Sequence, residues 1–441
     1  MDKIEIKKKK HTNSSLIVFF TIFNSLLIFY TYLPATVYFF ISIIIYFFSY
    51  YVLYKKYTFP EIMLLFVIFT LPSSFVSVLG TPYSELPITF HAIFIFLLTI
   101  NIMFKKKFDV KYVICIILFC IIASLQIVFV EYPISLLKQA FSIVLFLFSF
   151  LLIKHFSTTG SNNYKILSMD IYISSAFALG IQVLIQSYFH NSGINLGTSA
   201  EYAYGRFACA GLFGDYSFAG LFITSAIFLI LIRMFFYKNI NNIIGFILCC
   251  FLLLCVVANT SRTGIVSLVL ALLLCYLINF RYFPVGYFII LIMCCALFYV
   301  SIFAVAGNRG GLGMFLDSAG RIENYIDSIN FIIDKPLLGY GLGLDNLLFY
   351  TALKVPHNFF IQYLIQTGFI GMIVICLPFV FFVKDTFTAH NKYKWLFIQI
   401  AIASMLIPDI VSSRFLFTVI VIISMTKNDV SIVENQHIEN C

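Results

Sequence analysis

The sequence predicts an all-α polytopic membrane protein of about fourteen transmembrane helices (twelve to fourteen fit), with one long external loop containing a short amphipathic helix. Three observations predict it. Of 441 residues, 61% are hydrophobic and 11% charged, and the mean hydropathy is +1.00. Soluble domains have about 45–50% apolar and about 25% charged residues. Apolar runs close to the roughly 20 residues a span requires recur along the whole chain. Basic residues gather on alternate connections, as membrane orientation demands.

The runs fall at 15–33, 35–54, 61–80, 86–104, 111–130, 134–153, 166–189, 212–232, 243–259, 263–280, 284–305, 357–383, 394–408 and 411–426. The opening "MDKIEIKKKKHTNSS" is basic, its apolar run is long, and no small-x-small cleavage site follows. It reads as an uncleaved first helix with the N-terminus inside. On that basis 1–14 is a cytoplasmic basic N-terminus, 15–189 an N-terminal transmembrane region, 190–426 the catalytic transmembrane region, and 427–441 a cytoplasmic tail. The inside then holds 20 basic and 9 acidic residues, the outside 8 basic and 10 acidic. The net charge of +9 is therefore topogenic and no footprint of nucleic acid.

The same assignment sorts by residue type. Inside are 18 Lys and 2 Arg; outside are 3 Lys and 5 Arg, namely Arg206, Arg262, Arg309, Arg321 and Arg414. Lysine suffices to set topology, whereas the arginine fork matches phosphate oxygens. Snorkelling or pairing with external acids is the ordinary role of any one of them; five together ask for an anionic ligand. The 11 cysteines form no CxxC, and most lie in spans, so neither a disulfide framework nor a zinc site is suggested. Two external loops stand out, 190–211 and 306–356. In the second, Ile322, Tyr325, Ile326, Ile329, Ile332 and Ile333 recur at helical spacing before Pro336. A short amphipathic helix there lies on the membrane surface or caps a cavity. "GYGLG" follows as a tight backbone segment without the strand-loop-helix context of a nucleotide site.

Three stretches appear in order: "GRFACAGLFGDYSFAGLFI" (205–223), "NTSRTGIVSLVLALLL" (259–274), and "GRIENYIDSINFIIDKPLLGYGLGLDN" (320–346) followed by "PHNFFIQYLIQTGFIG" (356–371). Together they resemble the superfamily of O-antigen polymerases (Wzy-type) and O-antigen ligases. The resemblance covers residues 200 to 375, and the N-terminal half matches only as a run of spans. Asn324–Tyr325 departs from the aromatic, often Trp, common after the Gly-Arg. The resemblance implies a GT-C-like, metal-independent glycosyltransferase without cofactor, in the bacterial inner membrane and working on its periplasmic face. Its donor is an undecaprenyl-diphosphate-linked oligosaccharide. A polymerase passes the growing glycan to the next lipid-linked repeat unit; a ligase passes it to the lipid A core. A chain-length regulator and a flippase are partners of such a system.

The chemistry agrees with the residues. Cleaving an anomeric bond to a lipid diphosphate concentrates negative charge on the leaving group. Arg206, Arg262, Arg309 and Arg321 are the candidate clamp, with Arg414 a weaker one. An acceptor hydroxyl needs a base, and His357, beside Asn358 at the start of a span, is the candidate. A capping or loop-fixing role at that turn is the ordinary alternative. Asp215 and Glu201 are weaker candidates, as base or as partners of Arg206, and Tyr340 is another. His190 has no supporting motif, and His91 reads as a core histidine. A flippase or transporter for lipid-linked glycans is the rival of a different class; it would place polar groups at midmembrane on several spans and show internal repeats.

Overall fold

The computed structural model describes residues 2–78, 88–105, 107–158, 160–190, 192–202, 206–279, 292, 296, 321–353, 355–388 and 390–429. Side chains are described for these except at 2–13, 35, 201–202, 206 and 321–323. Among the described residues the protein is almost wholly helical, and nine helices are long and apolar enough to cross a membrane. They are α1 (Asp2–Leu26, continued by the 3-10 turn Leu27–Tyr32), α2 (Ala35–Leu53), α5 (Val110–Ile127), α6 (Pro133–Thr158), α7 (Asn162–His190), α8 (Tyr216–Phe235), α9 (Asn242–Asn259), α10 (Arg262–Asn279) and α13 (Phe359–Thr386). Four shorter apolar helices join them: α3 (Phe59–Phe69), α4 (Phe90–Phe104), α14 (Lys394–Ser404) and α15 (Phe415–Met425). The protein is an all-α polytopic membrane protein. The run expected at 284–305 lies almost wholly outside the described residues.

Two expected boundaries move furthest. Helix α1 runs back through the lysine cluster to Asp2. The run expected at 61–80 stops as a helix at Phe69, where the Thr70 hydroxyl bonds back to Phe66 O (2.8 Å) and Val67 O (3.0 Å) and Pro72 follows.

The chain forms two compact units, residues 1–101, 159–268 and 283–297 in the first and 102–158, 269–282 and 298–441 in the second. In the first unit α7 is the hub, packed by α1, α3, α8 and α9. Several polar side chains inside it are paired, since an unpaired polar group in hydrocarbon costs roughly several kcal/mol. Tyr172 bonds Ser225 at 2.6 Å, Ser175 donates to Ile68 O at 2.9 Å, and Asn24 donates to Phe69 O at 2.8 Å. Arg233, 1% exposed, donates to Asp170 at 2.7 Å and to Asn239 Oδ1 at 3.0 Å. Asp170, whose side chain is 39% exposed, is thus the ion-pair partner of Arg233. His91 Nδ1 lies 3.0 Å from Thr70 Oγ1 and 3.1 Å from Val67 O, buried.

In the second unit α6 packs α5, α13 and α15, while the short helix α11 (Arg321–Asp334) packs α13 and α12 (Leu344–Thr351) packs α6. The defining feature is a break in α13. Gly368 takes φ 61°, ψ −171°, so the helix is interrupted and backbone groups lose their intrahelical partners. The loop 336–343 supplies replacements. Phe369 N donates to Pro336 O (2.8 Å) and Ile370 N to Leu337 O (3.3 Å), while Tyr340 N donates to Ile365 O (2.9 Å) and Gly341 N to Gln366 O (2.9 Å). "GYGLG" is therefore a backbone-to-backbone dock. A Cβ on Gly339 would lie 2.4 Å from Ile365 O, and one on Gly368 2.3 Å from the Leu337 carbonyl, and both glycines have positive φ.

Gly368→Ala should therefore destabilise the protein by at least the roughly 1–3 kcal/mol of a left-handed non-glycine residue, since the loop must also move. A melting temperature in detergent close to that of the unaltered protein would contradict this account of the break.

Candidate functional site

The expected site residues fall into two groups, one in each unit. In the first unit Arg206 opens β2 (Arg206–Cys209), which pairs antiparallel with β1 (Ser199–Tyr202) in the register Tyr202↔Arg206 and Glu201↔Phe207. The side chains of Glu201 and Arg206 lie outside the described part. The hairpin is held from below by buried amides. Gln186 donates to Leu196 O (2.6 Å) and Thr198 O (2.8 Å) and accepts from Gly211 N (2.8 Å). Gln182, one turn earlier on α7, accepts from Leu212 N (3.0 Å) and donates to Asn24 O (2.6 Å). His190 stacks face to face on Phe207 with ring centres 3.4 Å apart, a packing role.

Asn259 joins this hairpin to Arg262. Its amide donates to Cys209 O and accepts from Ser261 N at 3.2 Å. Thr260 closes α9 in the left-handed region (φ 61°), and Arg262, half-buried, begins α10. The SRTG turn sits close because Gly264 and Gly220 meet: a Cβ on Gly264 would lie 2.8 Å from Gly220 O. So the strand carrying Arg206 and the helix carrying Arg262 are tied by one amide. Asp215, expected one turn into a span, is instead the N-cap of α8, accepting from Ser217 N (2.7 Å) and Phe218 N (3.1 Å). Burial raises its carboxyl pKa, and those two bonds pull it back down.

In the second unit Arg321 opens α11, with its side chain outside the described part, and Arg309 lies outside the described residues altogether. His357 is exposed in the turn before α13, and its carbonyl accepts from the Tyr325 hydroxyl at 3.1 Å. The aromatic position after the Gly-Arg is thus what ties α11 to the histidine turn. Asn358 is the N-cap of α13, accepting from Phe360 N (2.9 Å) and Ile361 N (3.2 Å), and donates to Met405 O at 3.4 Å. The capping role at this turn belongs to Asn358. Tyr340 donates to Asp334, and Lys335 Nζ sits 4.4 Å from its ring centre. Burial, then the Asp334 bond, push its hydroxyl pKa up to about 12. Arg414 precedes α15 and is 7% exposed, donating to Ser142 Oγ at 3.5 Å.

Sequence reasoning missed a polar cluster below the histidine turn. Asp409, in the left-handed region (φ 46°) between α14 and α15, accepts from Tyr363, from Ser412 Oγ (2.8 Å) and from Gln139 Nε2 (3.3 Å). Gln139 also accepts from Gly343 N (2.6 Å) and from Gln366 Nε2 (3.1 Å). Gln126 donates to Leu338 O (2.8 Å) and Gln366 O (2.9 Å) and accepts from Leu342 N (3.1 Å). The signal was an amide inside an apolar run, which is costly unless spoken for.

Residues 245–376 match the family model described as O-antigen ligase. The match supports a likeness of that segment to the O-antigen ligase and polymerase superfamily. It takes in α9, α10, α11, α12 and the broken part of α13, under a third of the chain. No curated protein matches the chain. Members of this superfamily are membrane enzymes of the glycosyltransferase kind, acting on lipid-linked glycans.

Enclosure pushes the Asp409 carboxyl from 3.8 up to about 6, with the Tyr363, Ser412 and Gln139 donors working the other way. A folded-state pKa above the unfolded one means the protonated form suits the fold. Its stabilisation is full below about pH 4 and is lost as pH rises through about 6. Melting temperature in detergent should therefore carry a downward slope from pH 4 to pH 6 that Asp409→Asn removes. An unchanged slope in that variant would count against the burial argument.

Asn358→Ala should cost about 1 kcal/mol through the lost cap, read as a lower melting temperature. Gln186→Leu, which orphans the Gly211 N–H and two carbonyls, should cost more, about 1–3 kcal/mol per unsatisfied group.

Proposed function

We propose that this chain is an O-antigen polymerase. It transfers the growing glycan from undecaprenyl diphosphate to the next lipid-linked repeat unit at the periplasmic face of the bacterial inner membrane. The observation that carries the reading is the coincidence of the family match at 245–376 with the SRTG turn, the Gly-Arg helix and the docked "PLLGYGLG" loop leading to His357. His357 takes the proton of the acceptor hydroxyl as that oxygen attacks the anomeric carbon. The bond to the diphosphate breaks, and arginines neutralise the departing charge. Arg206, Arg262, Arg309 and Arg321 are assigned that second role. The exposure of His357 beside the matched loop supports the first.

The strong Phe and Ile bias and the unremarked N-terminal half favour a polymerase, whose acceptor varies with each repeat unit. The matched family description, O-antigen ligase, favours the second reading, transfer of the O-antigen to the lipid A core. In both readings the termini are cytoplasmic. A flippase reading has less support, because Gln126 and Gln139 inside the second unit are occupied in holding a loop.

Lipopolysaccharide from a strain lacking the gene decides. A core bearing a single repeat unit identifies the polymerase. A bare core with lipid-linked polymer accumulating identifies the ligase. Unchanged full-length ladders overturn both. In proteoliposomes supplied with lipid-linked repeat units, Arg262→Ala should slow turnover roughly 100-fold or more. His357→Ala should cost about 100- to 10,000-fold, and His190→Ala should change little.

A further inference from the structure

Helix α11 has three faces, one more than an ordinary amphipathic helix. Ser328 is buried, and Phe331 and Ile332 face inward and pack with Tyr340, Leu347 and Ile365. Asp327, Asn330 and Asp334 form an exposed polar face. Ile326, Ile329 and Ile333 form a third face that is apolar and also exposed, with Ile333 70% accessible. A helix needs only one apolar face to pack on its own protein, so the second one has a different partner.

The surroundings identify that partner. The apolar face continues past Pro336 to Leu337, then along α12 through Leu344, Leu348 and Phe349, all exposed. Phe349 meets Tyr132 edge to face at 5.6 Å, in the turn between α5 and α6. From there exposed Val128, Leu125, Ile121 and Ile117 run down α5, a span of the membrane protein already described. The strip therefore joins the lipid-facing surface of a span at its end. Charge points the same way: the polar face is acidic, carrying Asp327 and Asp334, so anionic lipid is not what it attracts.

We propose that α11 and α12 form an interfacial foot that beds its isoleucine face in the acyl–headgroup boundary of one leaflet. The Tyr325 bond to the His357 carbonyl then sets the histidine turn at a fixed height above that boundary. The proposal needs only the membrane reading and stands or falls apart from the transferase reading.

The chain has a single tryptophan, Trp395, which is buried. In a Trp395→Phe background, Ile329→Trp and Ile333→Trp report from the apolar face, and Asp327→Trp and Asn330→Trp from the polar one. Each protein is reconstituted in phosphatidylcholine vesicles with or without brominated acyl chains. Bromine should quench the first pair about twofold or more and the second pair little, as expected for an apolar face buried to a depth of about 5–10 Å. The pattern should be the same when a third of the lipid is anionic. Equal quenching of both pairs, or quenching that appears only with anionic lipid, overturns the proposal. So does protection of the first pair by a second copy of the chain, read as quenching restored on dilution to monomer. If the Trp395→Phe background does not fold, the difference between the two pairs with Trp395 retained gives the same reading.

Discussion

The second unit depends on one interruption, the break of α13 at Gly368. A spanning helix satisfies its own backbone, which is why it is stable in lipid at all. Breaking it leaves carbonyls and amides that must find partners within the protein. Here a loop comes to them, and its own amides and carbonyls are taken in return. The loop 336–343 and the helix break are each unstable alone and stable together. Glycines at 339 and 368 are consequences of that contact, since each has positive φ and backbone from the other side where a Cβ would stand; Gly341 and Gly343, also at positive φ, lie against Val130 and Ser135 instead.

Glutamine is the instrument of this arrangement. Its amide both donates and accepts at the end of a flexible stem, so one side chain can serve an N–H and a C=O together. Gln126 does this for the loop and Gln186 for the hairpin that carries Arg206, while Gln139 accepts from the loop at Gly343 N and Gln182 links Leu212 N to Asn24 O on α1. Asn259 repeats the pattern between that hairpin and the start of α10. In each unit, amides inside the apolar helices hold a polar segment at the helix ends, and Arg206 rides on the one in the first unit. A charged side chain would have served less well, because it would bring desolvation cost without the paired donor and acceptor.

The helices were legible because lipid imposes a length and a composition on every span. The starts of α2, α5, α6, α9, α10 and α13 lie within a residue or two of the hydropathy edges. The inward stripe of α11 was legible in part: its periodicity was read as one apolar face, whereas Tyr325 and Ile332 turn inward and Ile326, Ile329 and Ile333 outward. Periodicity cannot separate two adjacent apolar faces, because both are written in the same residues. Of the three motif stretches, 259–274 and 320–371 fall within the matched segment 245–376, yet the residues that position them did not stand out. Gln126, Gln139, Tyr363 and Asp409 are far apart in sequence, and their only signature is polarity in an apolar stretch. The break at Gly368 was hidden for a related reason, since "QTGFIG" reads as ordinary small residues in a span until its partner loop is known.

The placement of Asp409 follows from the same need. Tyr363 and Gln139 lie one turn apart from positions that hold the loop, so the carboxylate that accepts from both is drawn into the loop's supporting network. It takes a left-handed backbone to get there, at a cost of about 1 kcal/mol or more for a non-glycine residue. The donors compensate only while the carboxyl remains enclosed, and its raised pKa is the measure of that enclosure. The turn that carries Asp409 also receives the Asn358 amide at Met405, so the cap of α13 and the carboxylate are fastened to one short segment. Movement of that segment would therefore be felt at the histidine turn through Asn358 and at the docked loop through Gln139. The segment after α14 is in this way a common support for the two features that distinguish the second unit.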